Sequence, residues 1–271
     1  MSAPPLPESL PHAADMRLLG GGSICDVWWA RLTDGREVVI KRTPYPAEVE
    51  VDGLEALRDA GAPVPAVLGT GEDVLVLEHV TGPADWAGLG RALAEVHATV
   101  ADAATDLVAA FGWHRDNLIG TLAQANDPHP HWPTFYSERR IRPLLDTPAL
   151  PQTLRSRLER ALDGPLLDLL DTDPPASLVH GDLWSGNVVA GRWLIDPAVH
   201  RADREAELAF ADLFGGLPAA FTAAYEDAWP LPPGWRERRP ALQLYHLLVH
   251  VAIFGRGYAG AVASRLDTLE W

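Results

Sequence analysis

The stretch Leu178–Ala198, LVHGDLWSGNVVAGRWLIDPA, sets Asp182, Asn187 and Asp196 among the apolar runs Leu178-Val179, Val188-Val189 and Trp193-Leu194-Ile195. A carboxylate can take a proton or hold a cation, and an asparagine carbonyl can hold a cation. Acids placed in apolar surroundings are costly unless something pairs with them. The three residues therefore have the makings of one proton acceptor and a pair of oxygen ligands for a metal ion.

The order His-x-Asp, with Asn five residues after the aspartate, is the spacing of the protein-kinase catalytic loop. On that template Asp182 accepts or orients the proton of an attacking hydroxyl, and Asn187 binds a metal ion. Asp196, at the end of the next hairpin strand, holds Mg²⁺ between nucleotide phosphates. Phosphoryl transfer depends mainly on positioning and charge neutralisation, so one base and two metal ligands suffice. Upstream, Gly20-Gly21-Gly22-Ser23 lies between two apolar runs, and glycines there let backbone amides approach a phosphate. By itself such a loop is more often only a turn. Lys41 closes the run Val38-Val39-Ile40, where the template places the lysine that contacts the nucleotide phosphates. That lysine needs a glutamate partner on the following helix, and Glu48, Glu50 and Glu55 are all available. Pro197-Ala198 in place of Phe-Gly, no Ala-Pro-Glu, and only about twenty residues before FADLFGG argue against a protein kinase and for a small-molecule one.

These residues need a scaffold with two parts. Asp34-Gly35 is a hairpin signal inside MRLLGGGSICDVWWARLTDGREVVIKR, which reads as three antiparallel strands. AEVEVDGLEALRDAG reads as a helix carrying Val49, Leu54 and Leu57 and stopped by Gly61, and VPAVLG and VLVLEHV add two strands. After Thr81-Gly82-Pro83 the pattern turns helical, with Leu89, Leu93, Val96 and Val100 at helical spacing. A further helix is expected near Leu154 to Leu170. Val188-Val189 and Trp193-Leu194-Ile195 flank Ala190-Gly191-Arg192 as a hairpin, and helices broken at Pro218 and Pro230 to Pro233 follow. The expected fold is α+β: a protein-kinase-like, two-lobed chain with an N-lobe of one small antiparallel sheet and one helix over 1–80. A larger, mainly helical C-lobe is expected over 81–271.

Composition fits a globular protein. The 271 residues are 47% hydrophobic, enough for a substantial core. A net charge of −15 argues against nucleic-acid binding and mildly favours cationic substrates. The proline-rich start lacks a basic and an apolar signal region, and YHLLVHVAIFGRGYAGAVA, interrupted by His246, His250 and Arg256, reads as a buried helix rather than a membrane span. With the single Cys25, this leads to an expectation of a cytoplasmic protein with no membrane partner. Cys25 is either a redox-sensitive thiol beside the glycine loop or a small apolar strand residue. His114, His129 and His131 are too irregularly spaced for zinc.

Taken together, GGGSI, VVIKR, EVDGLEAL, VLVLEHV, FGWHRDNLIG, FYSERRIRPLL, HGDLWSGN, IDPAVHRADREAELAFADLFGG and YHLLVHVAIFGRGY make the chain resemble the fructosamine kinase (ketosamine-3-kinase) family. That family is a branch of the aminoglycoside-phosphotransferase-like kinases. The resemblance implies Glu50 as the partner of Lys41, Asp182 as the catalytic base, and Asn187 and Asp196 as magnesium ligands. It places adenine against the backbone of Glu78, His79 and Val80. The implied reaction is ATP-dependent phosphorylation of the 3-hydroxyl of a ketosamine, which destabilises the adduct and frees the amine. Asp116, Asn117, Trp184 and Arg204 lie in family-specific segments and are the implied contacts to the acceptor. Asp116-Asn117 could equally cap a helix or close a turn, and Trp184 could be core. The chain departs from the family at His200-Arg201-Ala202, where Tyr-Tyr-Gly is usual, and at Glu207, where aspartate is usual. Two rivals remain: a kinase of the same fold acting on an aminoglycoside or another hydroxyl compound, and a nucleotide-binding module without turnover.

Overall fold

The computed structural model describes residues 4–21, 25–99 and 110–271. Its N-terminal part is a sheet of β1 (Ala13–Gly21), β2 (Asp26–Leu32), β3 (Glu37–Arg42), β4 (Val67–Thr70) and β5 (Val74–Glu78), with α1 (Glu48–Asp59) between β3 and β4. The order is β1-β2-β3-β5-β4, and every neighbouring pair is antiparallel. Residues alternate across a strand, so Val38 and Ile40 join Trp28, Ala30, Leu32, Val74 and Val76 in a buried cluster on one face. Lys41, opposite Val27 and Leu75 in the register, belongs to the other face with Val39. On α1 the buried positions are Glu50, Gly53, Leu54 and Leu57, a single helical stripe that includes one acid.

The rest is mostly helical, with short strands. In chain order come α2 (Trp86–Ala98), β6 (Asn117–Ile119), β7 (Leu122–Gln124) and α3 (Trp132–Phe135), which continues into a π-helical turn, Tyr136–Ile141. Then follow α4 (Gln152–Leu162), α5 (Pro165–Leu170), β8 (Ser177–Val179), β9 (Val188–Val189), β10 (Trp193–Leu194) and β11 (His200–Ala202). The chain finishes with α6 (Arg204–Ala211), α7 (Ala219–Ala228), α8 (Trp235–Leu242), α9 (Leu244–Phe254) and α10 (Ala259–Thr268). Among the described residues no helix is long and apolar enough to cross a membrane.

Two helical expectations need correction. The helix expected over Leu154 to Leu170 is two helices, because Pro165 lacks an N–H and its ring would clash with the preceding turn. The apolar tail is likewise divided at Gly255, whose φ of 88° ends α9. Val100, expected on the helix now seen as α2, lies outside the described residues.

One apolar cluster runs through both parts. Leu54 and Leu57 of α1, Leu75 and Leu77 of β5, Leu89, Leu93 and Val96 of α2, and Phe221 of α7 pack with Leu178, Leu183, Val188 and Leu194. Those last four residues carry the catalytic-looking loop and hairpin, so the same packing that joins the parts also fixes the loop. Backbone bonds reinforce it: Leu194 N–H donates to Pro63 O (2.8 Å) and Asp85 N–H to Gly191 O (3.2 Å). The Asp85 side chain in turn caps α2 by accepting from Gly88 N–H at 2.8 Å.

Gly53 sets how closely α1 approaches the segment after Asp196. A Cβ there would lie 3.1 Å from Pro197 Cγ and 3.2 Å from Val199 Cγ2, closer than carbon atoms pack comfortably. Gly53→Ala should raise intrinsic helix stability by about 1 kcal/mol while pushing α1 away from Asp196. We expect little change in thermal stability but roughly tenfold lower kcat, since small misplacements are costly in a preorganised site. Unchanged kcat would show that the close approach does not matter.

Candidate active site

The two parts meet at a cleft of about 620 Å³. Its floor comes from the loop after β8 and the hairpin β9–β10. Gly181, at φ 83°, turns the chain there, and a Cβ on it would collide with Ala198 O. The hairpin turn uses positive φ at both Ala190 and Gly191, and Arg192 N–H closes it on Val189 O at 3.1 Å. His180 is buried and ties the loop to the hairpin. Its Nδ1 accepts from Asp182 N–H (3.3 Å), which leaves Nε2–H to donate to Ile195 O (2.9 Å). Burial lowers its pKa, in keeping with this neutral form.

Lys41 reaches across the cleft. Its Nζ donates to Glu50 Oε2 and to Asp196 Oδ1, each at 2.6 Å. Burial alone would favour the neutral amine, but Glu50 and Asp196 outweigh it and raise the pKa above its ordinary value. Lys41 is therefore a fixed positive charge. Asp196 itself sits at φ 57°, a left-handed conformation uncommon for a residue with a Cβ. The kinase spacing left three glutamates open and the resemblance implied Glu50; Glu50, on the buried stripe of α1, is the one that Lys41 bonds.

Asp182 Oδ2 accepts from Asn187 Nδ2 at 2.9 Å, and Asp182 O accepts from the same nitrogen at 2.8 Å. Burial pushes the Asp182 carboxyl up to about 7, helped by the charges of Asp196 and Glu207 and opposed by Asn187 and Lys41. A carboxyl poised there can take a proton near neutral pH.

Asn187 spends its nitrogen on Asp182, so its carbonyl oxygen is the atom left for a cation. Asp196 keeps Oδ2 for the same purpose, since Lys41 engages Oδ1. An all-oxygen pair of this kind suits Mg²⁺, which typically completes its shell with water and substrate phosphates. Among the described residues no three His, Cys, Asp or Glu side chains form a metal cage of their own. The donor set therefore fits a metal that arrives with a nucleotide.

The remaining expected residues divide. Glu78, His79 and Val80 line the cleft where β5 leaves the sheet. His79 N–H is taken by Glu37 O (3.3 Å), whereas the Val80 backbone makes no hydrogen bond among the described residues. Gly20 and Gly21 end β1 opposite Val27 and Asp26, and Gly22 and Ser23 lie outside the described residues. Trp184 lines the cleft at 39% exposure, so it is not a core residue. Cys25 is buried with Sγ 3.9 Å from Tyr45 Oη, and burial raises its pKa, which favours the apolar-residue reading over the redox one.

Asp116, Asn117 and Arg204 are not among the residues that line the cleft. Asp116 Oδ1 accepts from Asn126 N–H at 2.8 Å. Asn117 donates to Val199 O (2.7 Å) and accepts from Gln124 (2.8 Å) and Asn126 (2.9 Å), bracing the chain just beyond Asp196. The guanidinium of Arg204 stacks on Trp229, 3.6 Å from the ring centroid, and donates to Trp229 O (2.8 Å) and Pro230 O (2.6 Å). His200-Arg201-Ala202 forms β11 against β8 and is likewise absent from the cleft lining.

Sequence reasoning gave no role to the chain of bonds behind Gly181. Glu207 Oε1 accepts from Gly181 N–H at 2.7 Å, and Oε2 contacts His97 Nε2 at 2.6 Å. His97 Nδ1 lies 2.8 Å from Tyr225 Oη, which accepts from Arg204 at 3.2 Å. Burial pushes Glu207 up, but His97, His180 and the Gly181 amide outweigh it and hold the carboxylate ionised. A signal was available in the sequence: an acid among Ala206, Leu208, Ala209 and Phe210 at the start of a helix.

Because the folded chain holds Asp182 up at about 7 against an ordinary 3.8, keeping it ionised costs stability. The cost is complete above that raised value and fades as pH falls toward the unfolded one. Asp182→Asn should therefore be more stable than the parent by on the order of 2–4 kcal/mol at about pH 8, with the gain shrinking toward about pH 4. Denaturation curves at the two pH values test this, and a variant less stable at about pH 8 would contradict the raised carboxyl.

The family model described as fructosamine kinase matches residues 11–270. A protein of Thermus thermophilus named a probable ketoamine kinase is 37% identical over 252 residues, covering 90% of each chain. The ketosamine-3-kinase of Mus musculus is 37% identical over 166 residues, 59% of this chain and 54% of its own. A crystal structure from Thermobifida fusca, described as a putative fructosamine-3-kinase, superposes with a TM-score of 0.85 at 34% identity, covering 96% of this chain and 94% of that one. An aminoglycoside phosphotransferase bound to ADP shares the fold alone, at a TM-score of 0.58 and 12% identity. The sheet-and-helix architecture is thus that of the protein-kinase-like phosphotransferases. With Lys41, Asp182, Asn187 and Asp196 gathered around one cleft, the chain is a kinase that belongs to the fructosamine kinase family.

Proposed function

We propose that this chain transfers the γ-phosphoryl group of Mg-ATP to the 3-hydroxyl of a ketosamine, in a reaction that serves to release the glycated amine. The observation that carries the reading is Lys41 Nζ held between Glu50 and Asp196 at 2.6 Å each, within one cleft with the near-neutral Asp182. The family match over 11–270 supplies the class of acceptor.

Asp182 takes the proton of the sugar hydroxyl as its oxygen bonds to the γ-phosphorus. The bond from that phosphorus to the bridging oxygen breaks, ADP leaves with the electron pair, and Asp182 passes its proton to solvent. Lys41 offers a fixed charge to the phosphates, and the backbone at Glu78 to Val80 receives the adenine. Mg²⁺, held by Asn187 and Asp196, would neutralise charge gathering on the phosphates. Glu207 keeps the Gly181 amide, and so the loop bearing Asp182, in place.

The cleft's charge favours an amine-bearing acceptor. Among its described lining residues, Lys41 is the sole Lys or Arg against Glu50, Glu78, Asp182 and Asp196. A protonated secondary amine is attracted to such a site, and a carboxylate is repelled. Trp184, Phe210, His250 and Phe254 add apolar and aromatic surface on the Asp182 side.

Turnover of Mg-ATP against fructosyl-lysine, ribulosyl-lysine, a glycated protein, an aminoglycoside and free sugars tests the reading. Selective phosphorylation of ketosamines is expected, and activity confined to the other compounds would remove the deglycating role. Asp182→Asn should lower kcat by on the order of a hundred- to ten-thousand-fold with nucleotide affinity little changed. For the parent, kcat/KM should rise with pH through about 7, where Asp182 loses its proton. A flat profile there would take the base role from Asp182.

A further inference from the structure

Lys41 is the only lysine in the 271 residues; every other cation of the Lys and Arg set is arginine. The single ε-amine is 6% exposed and carries two ion pairs of 2.6 Å, to Glu50 and Asp196. The segments outside the described residues, 1–3, 22–24 and 100–109, contain no lysine either. No side-chain amine is therefore presented at the surface of the folded chain.

This bears on glycation because that reaction needs a neutral amine. The nitrogen lone pair adds to the aldehyde carbon of an open-chain aldose, water leaves to give an imine, and the imine rearranges to a ketosamine without further change in composition. Arginine keeps its proton under all ordinary conditions and does not enter this sequence. Lys41 is excluded by its place in the fold: it is 6% exposed, and its Nζ is enclosed between Glu50 and Asp196, so the sugar does not reach it.

We propose that the native chain is refractory to ketosamine formation at side-chain amines, and that this enzyme thereby escapes the lesion it repairs. The first half stands on the sequence and the ion pairs; the second rests on the function proposed above. An enzyme working where reducing sugars are abundant would otherwise lose its phosphate-binding lysine to its own class of substrate. It would also compete with its substrates through adducts on its own surface.

The test is incubation of the folded chain with ribose, followed by peptide mapping by mass spectrometry, which separates ε-amine adducts from any at the α-amine. Arg160→Lys serves as the positive control: Arg160 is exposed on α4, away from the cleft, and in no ion pair among the described residues. We expect one new adduct per chain, at residue 160, in the variant. We expect none at Lys41 in either folded protein, and modification of Lys41 once the chain is unfolded in denaturant. The folded rate at Lys41 should be at least roughly a hundredfold below the unfolded rate, since reaction requires local opening. Modification of Lys41 in the folded chain at a rate near that of residue 160, with loss of nucleotide binding, would overturn the proposal. Adding unmodified enzyme and Mg-ATP to the glycated variant then separates the two halves. Removal of the adduct at residue 160 supports both, whereas its persistence beside an unmodified Lys41 sinks only the repair role.

Discussion

One ammonium group holds the site together. Lys41 comes from the sheet, Glu50 from α1 and Asp196 from the far side of the cleft, and its two bonds of 2.6 Å draw all three elements to one point. Taking these charges out of water is expensive, and a pair broken on one side typically costs 3–5 kcal/mol, at the order-of-magnitude level of about the whole margin by which many domains stay folded. The structure therefore has to hold the geometry firmly. It does so with the continuous apolar cluster from Leu54 through Leu89 to Leu194, which fixes the parts before the charges are counted.

A second set of buried polar groups does quieter work. Glu207, His97, Tyr225 and Arg204 form a line of contacts that begins at the Gly181 amide and ends on a guanidinium stacked over Trp229. Every member is buried and every one has a partner, which is the condition under which a polar network stiffens an interior rather than weakening it. Asn117 and Gln124 play a matching part, donating to Val199 O and Ala198 O, and Asn126 supports them by donating to Asn117 Oδ1. Asp182 and Asp196 are thus each backed by a hydrogen-bonded layer outside the lining of the cleft.

The division between what was legible and what was not follows from this layering. Lys41, Asp182, Asn187 and Asp196 could be placed because reaction geometry constrains their spacing along short, local segments. Glu50 could be separated from Glu48 and Glu55 only by the resemblance or by seeing which stripe of α1 is buried. Asp116, Asn117 and Arg204 were expected at the acceptor because polar residues in a distinctive segment suggest contact with a ligand. Sequence does not say whether such a side chain lines a cleft, and these three do not. Two of them bond backbone distant in the chain, Asn117 on Val199 and Arg204 on Pro230, as His97 does with the Tyr225 side chain. The breaks at Pro165 and Gly255 could have been anticipated from local rules, and apolar periodicity masked them.

After Asp196 the chain passes through Pro197 to Asp203 and enters α6 at Arg204. No serine, threonine or tyrosine occurs in that passage, and β11 is already paired to β8 within it. A protein kinase uses the equivalent span as a latch, to be thrown by another enzyme. Here the span is short, already paired to β8 and without a hydroxyl side chain, so a phosphate cannot be set on it as it is on such a latch.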